Sequence, residues 1–172
     1  MRSKFAEAGR FDEHRWTSDG HWVKVGGDRN WRNNNPGNIE SGRFAALHGA
    51  IGSDGRFAIF PDYKTGRAAL IALLKTESYA RLSVAAAIER FAPRIENDTS
   101  AYTAFVRTRV GVTPETLVSE LSEDRLAAAA VAIEIFEGGR EGVTYRIGDP
   151  HAPDMVVKLG QMFASKDSVK SG

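Results

Sequence analysis

The chain of 172 residues contains no cysteine, which excludes disulfides, thiolate zinc sites and cysteine nucleophiles. The redox compartment stays open. An excess of one charge is also missing: 23 Lys and Arg stand against 22 Asp and Glu, so no bulk field selects a nucleic acid or an acidic membrane as partner. The apolar run Ala127–Ile133 is far shorter than a bilayer crossing requires. Charges continue through residue 15 without the apolar h-region of a secretory signal, so the expectation is a soluble protein, exported by another route or within a longer parent. Neither a phosphate-cradling glycine motif nor a GxSxG elbow occurs. The four histidines, His14, His21, His48 and His151, lack metal-ligand spacing, and neither a metal nor another cofactor is expected.

What is present suits one core: 42% of residues are hydrophobic, enough at this length for one globular domain. Residues 1–30 read as an irregular N-terminal arm with a possible strand at His21–Val25, residues 31–164 as the domain, and 165–172 as a disordered tail. Gly52-Ser53-Asp54-Gly55 followed by Arg56–Phe60 reads as a turn entering an alternating strand, the place for a small β-hairpin. Helical spacing follows. Pro61-Asp62 opens a first segment with Ala69, Leu70, Leu73 and Leu74 on one face. Ser83 caps a second helix through Phe91 that Pro93 stops. Asp98–Ser100 cap a third, with Tyr102, Phe105, Val106 and Val110 inward and Gly111 as terminator. Thr113-Pro114-Glu115 predicts a short fourth helix. Ser122 caps a long fifth, Glu123–Glu137, ended by Gly138-Gly139, and Met155–Ala164 forms a last one. The expected class is mainly α (α+β), helical with a small hairpin.

Arg32-Asn33-Asn34-Asn35-Pro36-Gly37-Asn38-Ile39-Glu40 fits neither helix nor strand. It is either a tight turn whose amides satisfy their own backbone or a loop that serves a site. Asn33, Asn34, Asn35 and Asn38 are candidates for gripping the polar groups of a sugar, since asparagine is a poor proton donor and no nucleophile. Asn97 with Tyr102 forms a second polar cluster, readable as a sugar contact or as a helix cap with a buried tyrosine. Trp16, Trp22 and Trp31 are candidates for stacking on sugars or for plugging the core.

Three carboxylates could carry chemistry. Leu126, Ala130, Ile133 and Glu137 are spaced four, three and four apart, so Glu137 ends an apolar stripe and points inward. Desolvation and the negative end of the helix dipole both favour its protonated form, as a general acid requires. Glu40 closes the Asn loop, and Asp54 sits in the hairpin turn. Two of the three facing each other across a groove would supply the acid pair that cleaves glycosidic bonds. Which two, the spacing leaves open.

Trp31–Ile39, then Gly49–Phe60, then Ala92-Pro93 with Glu96-Asn97-Asp98-Thr99 and Tyr102, resemble a group of bacterial and phage lysozyme-like domains. Those domains occur in virion-associated proteins and, with Glu at the position of Glu40, in toxins that look like type VI secretion substrates. The resemblance covers about residues 30–140. It implies a mostly helical lysozyme-like fold that binds peptidoglycan and cleaves its glycan strands. It further implies synthesis in a bacterial cytoplasm, action in the periplasm after secretion or phage delivery, and an immunity protein and secretion machinery as partners. The expected state is a monomer without nucleic-acid or membrane partners. Glu40-Ser41-Gly42 is similar to the Glu-Ser-Gly of flagellar-type glucosaminidases, whereas Phe136-Glu137-Gly138-Gly139-Arg140 and Tyr145 resemble the helix-ending Glu-Gly of phage lysozymes. A circularly permuted order, with the long helix beside the Asn loop, would reconcile both. The reading is a muramidase, with a lytic transglycosylase or a non-enzymatic virion or wall-binding module as alternatives.

Overall fold

A computed structural model of the protein describes residues 14–16, 22–91, 99–146, 149–154, 156–158 and 161. Helix α1 (Arg29–Arg32) is one turn before the Asn loop, and α2 (Arg43–Leu47) follows it. The hairpin is β3 (Gly52–Ser53) with β4 (Ala58–Ile59), Gly52 opposite Ile59. Asp62 then accepts from Thr65 N at 2.8 Å and starts α3 (Tyr63–Leu74); the short α4 (Glu77–Ala80) was not legible in the sequence. Ser83 Oγ accepts from Ala86 N at 3.1 Å at the head of α5 (Val84–Phe91), and α6 (Thr99–Val110) ends at Gly111 with φ +69°. Ser122 caps α7 (Glu123–Phe136), and Glu137 closes it.

The helix expected at Thr113-Pro114-Glu115 does not form. That segment is drawn across the head of α5, where Thr116 O and Pro114 O accept from Val84 N and Ala85 N. Carbonyls committed to a neighbour's first turn leave only a 3-10 turn at Val118–Glu120. Of the last expected helix, Met155–Ala164, residues 156–158 and residue 161 are helical, as is Asp154 just before it, while the rest of it, Pro93, Asn97 and the tail 165–172 lie outside the described residues.

Two layers result. Helix α7 packs on α3 and α6, and its Leu126, Ala129, Ala130, Ala132 and Ile133 join Leu70, Leu74, Val84, Ile88 and Val110 in the main core. Burying a side chain such as Leu70 or Ile133 stabilises the fold by about 2 kcal/mol. Beside it, β1 (His14–Trp16), β2 (Trp22–Val25) and β5 (Val143–Arg146) form an antiparallel sheet in that order. Residues 22–25, within the possible strand expected at His21–Val25, pair with β5 more than a hundred residues away, and residues 14–16, expected within an irregular arm, pair with them on the other edge. Val23 opposes Tyr145 and shares a small second core with Ile59, Ala152 and Val156. The molecule is mainly helical with a small hairpin, and among the described residues no helix is long and apolar enough to cross a membrane.

Candidate functional site

The Asn loop is built almost entirely from side chains that bond their own chain. Asn34 and Asn38 adopt φ +52° and +45°, a left-handed conformation that asparagine tolerates better than most residues. Asn35 Nδ2 donates to Ile39 O and Ala58 O, each at 2.9 Å, and its Oδ1 accepts from Ile39 N at 2.9 Å. It takes the place of a missing strand residue. Asn34 Nδ2 donates to Phe60 O at 3.1 Å while its Oδ1 accepts from Lys24 Nζ at 2.6 Å. Asn33 Nδ2 donates to Asp54 Oδ2 at 2.8 Å. Asn33, Asn34 and Asn35 are all buried, so three of the four loop residues expected to hold sugar hold the scaffold instead. Asn38 alone of the four lines the largest groove described below.

Asp54 belongs to the same scaffold. Its side chain is 3% exposed beside the Arg29 guanidinium, its Oδ1 accepts from Arg56 N and Phe57 N at 3.1 and 2.8 Å, and it does not line the groove. The third carboxylate candidate is a turn former. The side chain of Tyr102 lies outside the described residues, as does all of Asn97.

Glu137 and Glu40, in contrast, line one groove. Its volume is about 490 Å³, and its walls include Asn38, Phe44, Phe57, Tyr79, Arg90 and Phe91. Glu137 is half-buried at the end of α7, and Asn38 Nδ2 donates to its Oε2 at 2.6 Å. Burial raises its pKa, and the Asn38 hydrogen bond partly opposes that by favouring the anion. Glu40, 67% exposed, pairs with Arg56 at 3.2 Å. It also forms an isolated β-bridge with Phe57, which fixes its backbone alongside the hairpin.

The end of α7 is clamped from residues that precede the loop. Asn30 Nδ2 donates to Gly138 O at 2.9 Å and to Glu137 O at 3.4 Å, satisfying carbonyls that a helix end otherwise leaves bare. Asp28 Oδ2 accepts from Arg140 N at 2.8 Å and Gly139 N at 3.3 Å; these backbone donors, chiefly Arg140 N, hold its carboxyl below the usual range. The sequence reading missed Asp28 and Asn30, although both stand just before Trp31 at the head of the motif. It also missed the lining aromatics and Arg90, whose neighbours in space are remote in sequence.

A smaller pocket of about 160 Å³ lies on the Lys24, Trp31 and Asn34 side of the loop, with Tyr63, Glu134 and Glu141 on its rim. Tyr63 donates to Glu134, which is half-buried. Trp31 is also half-buried, its ring 4.5 Å from Lys24 Nζ, and desolvation lowers the Lys24 amine to a pKa of about 8.

Among the described residues no cluster of three or more His, Asp or Glu is placed to hold a metal ion. His48 is bonded to Phe44 O through Nδ1, and His151 is exposed. No protein-family model matches the chain, and no curated protein matches it.

Proposed function

We propose that the protein is a muramidase, cutting the β-1,4 glycan backbone of bacterial peptidoglycan with Glu137 as general acid and no cofactor. The observation that carries this reading is the half-buried Glu137 carboxyl, its proton affinity raised by desolvation, set on a groove open enough for a polymer. A donor to a glycosidic oxygen needs that combination. Asn38 donates to Oε2, which leaves Oε1 to carry the proton toward the substrate. Glu40, on the same groove, would activate water or steady the oxocarbenium-like sugar. Phe44, Phe57, Tyr79 and Phe91 offer apolar faces for sugar rings.

The lysozyme-like resemblance supports the same reading. A permuted lysozyme order would bring a helix-ending glutamate beside the Asn loop, and the Asn38–Glu137 hydrogen bond spans those two segments. In this reading the chain is an antibacterial effector domain acting on the wall from the periplasm, opposed by an immunity protein in the producing cell. Isolated cell walls incubated with the protein should lose turbidity and gain reducing ends at N-acetylmuramic acid. Anhydro ends would instead assign the last step to the substrate's own hydroxyl, a lytic transglycosylase. Walls that bind the protein and gain no ends would overturn the enzyme reading in favour of a wall-binding module.

A further inference from the structure

Besides its acids, the groove carries two arginines, and their settings differ. Arg56 is neutralised by Glu40 at 3.2 Å and lies over Phe57, 4.8 Å from the ring centroid. Arg90 forms no ion pair among the described residues. One of its N–H groups donates to Ser78 O at 3.1 Å, and its guanidinium stands 4.9 Å from the centroid of Tyr79. Tyr79 is itself stacked on Phe91 at 5.0 Å. The cation is therefore held by an aromatic platform and one carbonyl on the wall of the groove, and its fork has more N–H groups than that one carbonyl uses. Glu40 is matched by Arg56, so among the lining side chains Arg90 is the cation without a carboxylate in contact.

We propose that Arg90 is a carboxylate-binding subsite and that the groove selects glycans bearing anionic substituents over neutral ones of the same β-1,4 backbone. This rests on the muramidase reading and deepens it, because a muramic acid residue carries a lactyl carboxyl, or a peptide ending in one, where a plain N-acetylglucosamine carries a hydroxyl. Arginine suits the task, since its planar fork meets a carboxylate with two parallel N–H donors. The Tyr79–Phe91 stack fixes that fork before substrate arrives, so little side-chain freedom remains to be lost on binding.

The test compares native cell walls with walls whose carboxyls have been converted to methylamides. Co-sedimentation of the full chain reads binding, and release of sugar ends reads cleavage. Wild type should bind native walls about tenfold more tightly than methylamide walls, the scale of one charge-assisted contact, and the gap should shrink as salt is added. Arg90→Gln should abolish the preference by weakening native-wall binding alone, raising KM and sparing kcat, and Arg90→Lys should restore part of it. Equal binding of the two walls by wild type overturns the proposal, and so does an Arg90→Gln loss that is the same on both. Absence of cleavage with the preference intact sinks the muramidase reading and leaves the carboxylate subsite standing.

Discussion

At the residue scale, the asparagines divide by the direction of the amide into those turned into the scaffold and one turned to the groove. Asn35 satisfies Ile39 N and the carbonyls of Ile39 and Ala58 inside the protein, so Asn35→Ala leaves buried groups unpaired and should cost about 3 kcal/mol in denaturant unfolding. Asn38 faces the groove and favours the Glu137 anion. Asn38→Gly keeps the φ +45° backbone free of strain, and its removal of that hydrogen bond should move the alkaline limb of the pH–rate profile to higher pH. An unmoved limb would detach Asn38 from the acid. Glu137 itself has a folded pKa above its ordinary 4.5, so its neutral form favours the fold below that value and this contribution is lost as pH rises through the folded pKa. Glu137→Gln should then raise the melting temperature at neutral pH and leave it unchanged in acid. The inward aim of Glu137 was legible from its 4-3-4 spacing with Ile133, Ala130 and Leu126. Those of Asn33, Asn34 and Asn35 were not, because composition does not say which way an amide turns.

At the scale of elements, three helices announced by a capping residue and the possible strand at His21–Val25 were legible, whereas Thr113 announced a helix that does not form and β5 was not expected. Asp62, Ser83 and Ser122 each cap the helix they precede, because a cap is a local bond between near neighbours. Strand β5, by contrast, depends on β2, and its four residues carry too little alternation to announce themselves. Contact between elements also decides one glycine. A Cβ on Gly66 of α3 would stand 1.8 Å from Asn34 O and 3.2 Å from Pro36 Cδ, so the helix seats on the Asn loop only with a bare Cα there. Gly66→Ala should therefore cost about 3 kcal/mol or more, read by thermal or denaturant unfolding. Near-normal stability would mean that the loop and α3 are not in close contact.

For the whole molecule, the site exists because segments far apart in the chain converge on one helix end. Asp28 and Asn30 hold the turn after α7, the Asn loop supplies Asn38, the hairpin region supplies Arg56 and Phe57, and α4 and α5 supply Tyr79, Arg90 and Phe91. No stretch of sequence contains that groove, which is why Glu40 and Glu137 stayed equal candidates until their surroundings were compared. Glu40 is exposed and ion-paired, whereas Glu137 is half-buried with its proton favoured by desolvation. Cleavage of isolated walls by Glu137→Gln and Glu40→Gln, each checked for native folding, tests that assignment most directly. Glu137→Gln should lower the rate on the order of 10²–10⁴-fold, as loss of a general acid does, and Glu40→Gln should lower it less. Full activity in folded Glu137→Gln, or a larger loss in Glu40→Gln, would contradict the assignment.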